Sequence, residues 1–115
     1  MSTLTPPAEV SSPPRFTQET LSWVPWVEPL DEGELTERHY EGLVQRPRAK
    51  NPYFRLLARD PEVLGARTRT DLDIFYNTAG GLGRAERELG ATVASRTNGC
   101  LYCASVHSAF ATHFS

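Results

Sequence analysis

Apolar residues recur along most of the chain at intervals of three and four, the spacing of one helix face. Leu35, His39 or Tyr40, and Leu43 form the first series. Asp31 is placed to cap it, and Glu32 and Glu34 fall in a first turn where acidic side chains suit the helix dipole. Pro47 closes the segment. A short helix opens at Asn51-Pro52 and carries Tyr53, Phe54, Leu56 and Leu57. Asp60-Pro61 opens a third, with proline at the first position, where its missing N–H costs nothing. Its apolar residues are Val63, Leu64, Leu72, Phe75 and Tyr76, and it ends near Asn77. A fourth helix runs from about Arg84 to Arg96, with Ala85, Leu89 and Val93 as its apolar stripe. Asn98-Gly99 marks a turn, and a fifth helix opens at or near Cys100. No run reads convincingly as a strand, and Leu72-Asp73-Ile74 sits inside a better helical pattern. The expectation is an all-α domain of five helices over residues 31–115.

Residues 1–30 read differently. Six of the nine prolines lie there, and proline blocks helix continuation, so this arm is expected to be extended. Leu21, Trp23, Val24, Trp26 and Val27 are too apolar for water and are expected to dock on the domain or on a neighbouring subunit. Gly80-Gly81-Leu82-Gly83 resembles part of a phosphate loop, but the lysine and Ser/Thr of that motif are missing, so it reads as a helix stop and start.

Composition narrows the function. With 115 residues there is room for one small domain. Net charge is −2 and the basic residues form no dense run, which argues against nucleic acid as a partner. No apolar stretch approaches the roughly 20 residues that span a bilayer. Met1 to Pro14 has neither a basic start nor an apolar run, so the expected location is cytoplasmic. Two cysteines three apart are too few for a secreted disulfide scaffold and read first as a redox pair.

The chemistry concentrates in Gly99-Cys100-Leu101-Tyr102-Cys103-Ala104-Ser105-Val106-His107. At about 100° per residue, Cys100, Cys103 and His107 share a sector of about 60° on one helix face. His107 sits about 6 Å along the axis from Cys103 and about 10 Å from Cys100. Helical side chains lean toward the N-terminus, so His107 serves Cys103 directly and Cys100 only through an intermediary. Cysteines at i and i+3 are close enough for a disulfide. A thiolate is the nucleophile, and two features favour it: the free N–H groups of a helix start and a nearby imidazole. The first points to Cys100 and the second to Cys103, which leaves open which attacks first. Glu88, on the preceding helix, is placed by a helical hairpin to orient His107 or to pass protons to it. The competing reading makes Arg84, Glu86, Arg87 and Glu88 a surface charge cluster.

Eleven residues separate Glu88 from Cys100, two separate Cys100 from Cys103, and three separate Cys103 from His107. This Glu-x11-Cys-x2-Cys-x3-His pattern resembles the active-site motif of the alkylhydroperoxidase D / carboxymuconolactone decarboxylase family. The flanking residues 84–89 and 95–104 resemble its peroxidase-related branch. The resemblance is close over residues 83–110, loose over 50–82, and absent from the arm. It implies an all-helical, oligomeric thiol peroxidase. Cys103 would be the peroxidatic thiol, Cys100 the resolving one, and His107 with Glu88 the proton relay. Relatives carry a second histidine between the cysteines; here Tyr102 stands in that stretch, as a candidate pocket residue with a hydroxyl to offer. No metal or organic prosthetic group is implied, only the dithiol of Cys100 and Cys103. The implied partners are a peroxide, a thiol or dihydrolipoyl-type reductant, and further copies of the chain. Family members continue with more helices after this hairpin, so the resemblance also implies a chain that stops before them, in a truncated form or with a partner chain completing the core.

Three rival readings accompany this one. Cys100, Cys103, His107 and His113 have the residue types of a zinc site, but His113 lies off the shared face. A lactone decarboxylase is a second, although that branch does not depend on a Cys-x-x-Cys pair. A redox-sensing module without turnover is the third. His39 and His113 read as surface or packing residues, and Phe110 and Phe114, at i and i+4, as core or interface.

Overall fold

The computed structural model describes residues 15–19 and 27–115, and every regular element among them is helical. A short 3-10 turn at Glu32–Glu34 precedes α1 (Glu37–Leu43), and a second, Arg46–Lys50, precedes α2 (Pro52–Leu57). Then come α3 (Pro61–Tyr76), α4 (Arg84–Thr97) and α5 (Leu101–Phe114). The chain divides into two compact units, one of residues 27–74 and one that joins residues 75–115 to the N-terminal segment.

In the first unit the core takes Leu43 and Leu64 from the expected series and adds Ala49 and Ala58, which the spacing does not single out, while Val63 is exposed. Leu43, Ala49, Ala58 and Leu64 are buried, and Leu30, Leu35, Tyr40, Phe54 and Leu57 pack against them. Asn51 caps α2 by accepting the Tyr53 N–H at 3.0 Å. Asp60 accepts the Val63 N–H at 3.2 Å at the start of α3. Gly42 is a contact requirement: a Cβ there would run into the backbone of Pro61.

One start is corrected. Asp31 opens only the 3-10 turn, with Glu34 reaching back to the Asp31 N–H at 3.2 Å. The chain is extended again at Leu35, and the first α-helix starts after Thr36. There the Nδ1 of His39 accepts the Thr36 N–H at 2.9 Å, so His39 is a capping residue. Two closed caps in succession leave a turn and a helix where one helix is expected. Beyond α1, Val44 has a positive φ of 62°, and Gln45 N–H donates back to Leu43 O at 2.6 Å. This is a γ-turn of the strained kind, and it ends α1 three residues before Pro47.

The end of the expected arm belongs to the first unit. Arg55 donates to Leu30 O at 2.8 Å and to Ala49 O at 2.9 Å, and Arg59 donates to Glu28 O at 2.7 Å. The docking expected of Leu21, Trp23, Val24 and Trp26 lies outside the described residues, and Val27 is exposed.

The second unit is built on the α4–α5 hairpin. Residues 15–19 rest on it: Gln18 donates to the Thr112 hydroxyl at 3.0 Å, and the Arg96 guanidinium lies 4.8 Å from the Phe16 ring centre. The glycine run at 80–83 is the expected break between helices. Arg87 holds it by donating to Asn77 O at 2.7 Å, Gly80 O at 2.6 Å and Leu82 O at 2.5 Å. The apolar stripe of α4 is not the face that the fold buries. Leu89 and Val93 are 57% and 59% exposed, while Glu88, Thr92 and Ser95 are buried. Hydroxyls at 92 and 95 tolerate this because each donates within its own helix, to Glu88 O at 2.8 Å and to Ala91 O at 2.7 Å. The buried residues of α5, Ala104 and Ser105, are small.

Candidate active site

The turn between α4 and α5 delivers the first cysteine. Asn98 ends α4, and Gly99 takes a φ of +73°, which glycine adopts without steric cost. Gly99 N–H donates to Arg96 O at 3.1 Å, and Cys100 N–H donates to Ser95 O at 2.9 Å. These are the two bonds of a Schellman motif, so α4 is closed at the residue that begins α5. Cys100 is the N-cap of α5, and its Sγ accepts the Cys103 N–H at 3.2 Å. The two cysteines form a disulfide with Cα atoms 5.4 Å apart. Both are half-buried.

His107 stands one helical turn beyond Cys103. Its Nδ1 meets Glu88 Oε2 across the hairpin at 2.6 Å. Glu88 is 1% exposed, so the surface-cluster reading of this residue does not hold. The other carboxylate oxygen, Oε1, accepts from Arg84 Nε and Nη2, each at 2.7 Å. A carboxylate is acceptor only, so His107 donates from Nδ1 and keeps the lone pair of Nε2 as its basic site. The imidazole stacks on Phe75, with centroids 5.3 Å apart and planes 23° apart.

Arg84 is the residue that spacing alone does not reveal. Its guanidinium lies within 4.3–5.6 Å of the ring centres of Tyr76, Phe114, Phe75 and Phe110. Burial works hardest against its charge, but hydrogen bonds with Glu88 and Tyr76 outweigh that and hold its pKa above the ordinary guanidinium value. The signals that could have found it are two i, i+4 pairs, Arg84 with Glu88 and Phe110 with Phe114. The second pair, expected in a core or interface, remains 40% and 45% exposed beneath the guanidinium.

The four expected residues thus fall into two joined pairs, Cys100 with Cys103 and Glu88 with His107. No hydrogen bond links the pairs among the described residues in this disulfide form. Tyr102 lines an open cleft of about 280 Å³ with Gln18, Glu19, Ser105, Val106, Ala109 and Phe110. Neither cysteine nor His107 lines that cleft, so Tyr102 lines it from a different face of α5 from theirs. The four zinc candidates are not gathered either. His113 lies edge-on to Phe114, and no cluster of three His, Cys, Asp or Glu side chains able to hold a metal occurs among the described residues. No described helix is long and apolar enough to cross a membrane.

Comparison with known proteins agrees with this architecture. No curated protein and no solved structure matches the chain. A family model does match, over residues 61–115, which include α4, the Cys-x-x-Cys turn, α5 and all four expected site residues. The model is that of the carboxymuconolactone decarboxylase family, and the all-helical fold is consistent with it.

Proposed function

We propose that the chain is a thiol-dependent peroxidase of the alkylhydroperoxidase kind, working through a dithiol–disulfide cycle of Cys100 and Cys103. In the reduced protein, His107 Nε2 takes the proton of the Cys103 thiol. The thiolate attacks the terminal peroxide oxygen and the O–O bond breaks. The leaving alkoxide takes a proton and departs as the alcohol, and Cys103 becomes a sulfenic acid. The Cys100 thiol then attacks the Cys103 sulfur, water leaves, and the disulfide forms. A thiol or dihydrolipoyl-type reductant supplies two electrons and two protons to reopen it. No metal or prosthetic group enters these steps.

The observation that carries the reading is the position of the disulfide one turn from a histidine already oriented by a buried carboxylate. Cys103 is the nearer sulfur along the helix, which supports it as the attacking thiol. The cap bond to Cys100 Sγ supports Cys100 as the sulfur that leaves when a reductant attacks Cys103, because an N–H donor stabilises the departing thiolate. A dithiol that must be re-reduced suits a reducing compartment, the cytoplasm. The exposed pair Leu89 and Val93 supports assembly with further copies of the chain.

The test is steady-state turnover with cumene hydroperoxide and dihydrolipoamide. The proposal expects catalytic consumption of peroxide that requires both cysteines. Oxidation of the protein once, with no further turnover in excess reductant, would make the pair a sensor instead.

A further inference from the structure

We infer that Arg84 is a positioning residue that sets the hydrogen-bonding direction of the Glu88–His107 pair, and that the four aromatic rings around it exist to hold its guanidinium in place. The inference rests on the reading of Glu88 and His107 as the pair that activates the dithiol.

Glu88 is buried, so its oxygens depend on protein donors. Arg84 places both Nε and Nη2 on the single oxygen Oε1. That fixes the plane of the carboxylate and leaves Oε2 to face His107 alone. With two charge-assisted donors on Oε1, Glu88 acts only as an acceptor toward the ring. His107 must then donate from Nδ1, and the nitrogen left free to take a thiol proton is Nε2. Without Arg84 the carboxyl can turn away from the ring. The imidazole then has no fixed partner at Nδ1, and its proton can sit at Nε2, where it no longer serves as a base.

The rings explain how a long side chain keeps this role. Tyr76 and Phe114 lie 4.3 and 4.5 Å from the guanidinium carbon, and Phe75 and Phe110 lie 5.5 and 5.6 Å away. A planar cation between aromatic faces loses its rotational freedom, and each face attracts the charge. Phe75 contributes twice, since it also stacks on His107. A lysine would keep the charge but lose both the fork and the planar stack. The charged and titratable groups joined to Glu88 are Arg84 on its own helix and His107 on α5, with Tyr76 acting through Arg84.

The experiment reads thiol activation without using peroxide, so the inference and the peroxidase reading can fail separately. The full chain is reduced, and the rate of Cys103 alkylation by iodoacetamide is followed by mass spectrometry from pH 5 to 10. The proteins are the parent, Arg84→Met, Arg84→Lys, Glu88→Gln and the double variant Arg84→Met with Glu88→Gln. Thermal melts establish which are folded. The expected result is a rate at pH 7 about tenfold lower in Arg84→Met, with the profile moved to higher pH. Arg84→Lys should fall between that variant and the parent. The double variant should match Glu88→Gln, because Arg84 acts through Glu88. A guanidinium acting only as a nearby positive charge would slow alkylation equally in both backgrounds, and that outcome overturns the inference. An unchanged profile in folded Arg84→Met overturns it too. If Arg84→Met does not fold, Arg84→Lys decides, and a profile identical to the parent's overturns the proposal.

Discussion

The two units of the chain solve opposite problems. Residues 27–74 bury mainly aliphatic side chains, with Leu43, Ala49, Ala58 and Leu64 at the centre and Thr68 as the buried polar residue, and open α2 and α3 with the Asn51 and Asp60 caps. Residues 75–115 bury Glu88, Thr92, Ser95 and Ser105, and leave Leu89 and Val93 outside. A buried carboxylate is a poor source of stability, because its desolvation cancels much of what its partners return. Its presence in a small helical hairpin therefore fits the proposed proton relay better than a role in folding. The contrast separates substitutions that should unfold the protein from those that should silence it.

The sharpest break in the comparison is Cys103→Ser. It should abolish peroxide-driven oxidation while leaving the thermal melt of the reduced protein within about 1 kcal/mol of the parent, since the side chains are nearly isosteric. His107→Gln removes the base and should lower the rate of peroxide reaction by about 10²-fold or more, read by stopped-flow. On the other side of the comparison, Leu43→Ala should cost about 2–5 kcal/mol in denaturant unfolding. The alkylation rate of the folded fraction should stay unchanged. Thr92→Val tests whether the buried hydroxyls matter in themselves. Thr92 donates only within its own helix, so the change in stability should be at most about 1 kcal/mol, measured by the same unfolding curves. The smallest effect is electrostatic. A hydrogen bond from Arg46, and its charge, hold the Glu37 carboxyl below its ordinary pKa. A lowered folded pKa gives stability that is present above the unfolded value and lost as pH falls through the folded one. The pair is fully exposed and screened, so Glu37→Gln should only slightly flatten the acid limb of the stability curve.

Much of this was legible in the residues. Element starts followed wherever a local signal is strong and self-contained: Asn51-Pro52, Asp60-Pro61 and Asn98-Gly99 each fix a boundary by a hydrogen bond within a few residues. Spacing and the hairpin that Asn98-Gly99 implies allowed Glu88 to meet His107 but equally allowed a surface charge cluster, and the resemblance to the family motif was what favoured the meeting. The buried face of α4 did not follow. Leu89 and Val93 recur at helical intervals as a buried stripe would, but Glu88 is committed to His107 and Arg84, and the face that it shares with Thr92 and Ser95 is the one the fold buries. Periodicity reports that a helix has an apolar face, not which face the fold buries. Arg84 escaped for a related reason. An i, i+4 ion pair on a polar stretch reads as surface, and only the rings of Phe75, Tyr76, Phe110 and Phe114 convert it into an interior one. The division of Asp31–Leu43 into a turn and a helix depended on His39 acting as a cap, a role that its spacing from Thr36 permits but does not announce.

The most direct measurement is intact mass with thiol counting on the reduced chain, before and after one equivalent of an organic peroxide, alongside Cys103→Ser. The account predicts that the parent rapidly loses both thiols and two hydrogens as the Cys100–Cys103 disulfide forms, while the variant keeps its remaining thiol. Two thiols still free in the parent after hours with peroxide would contradict it.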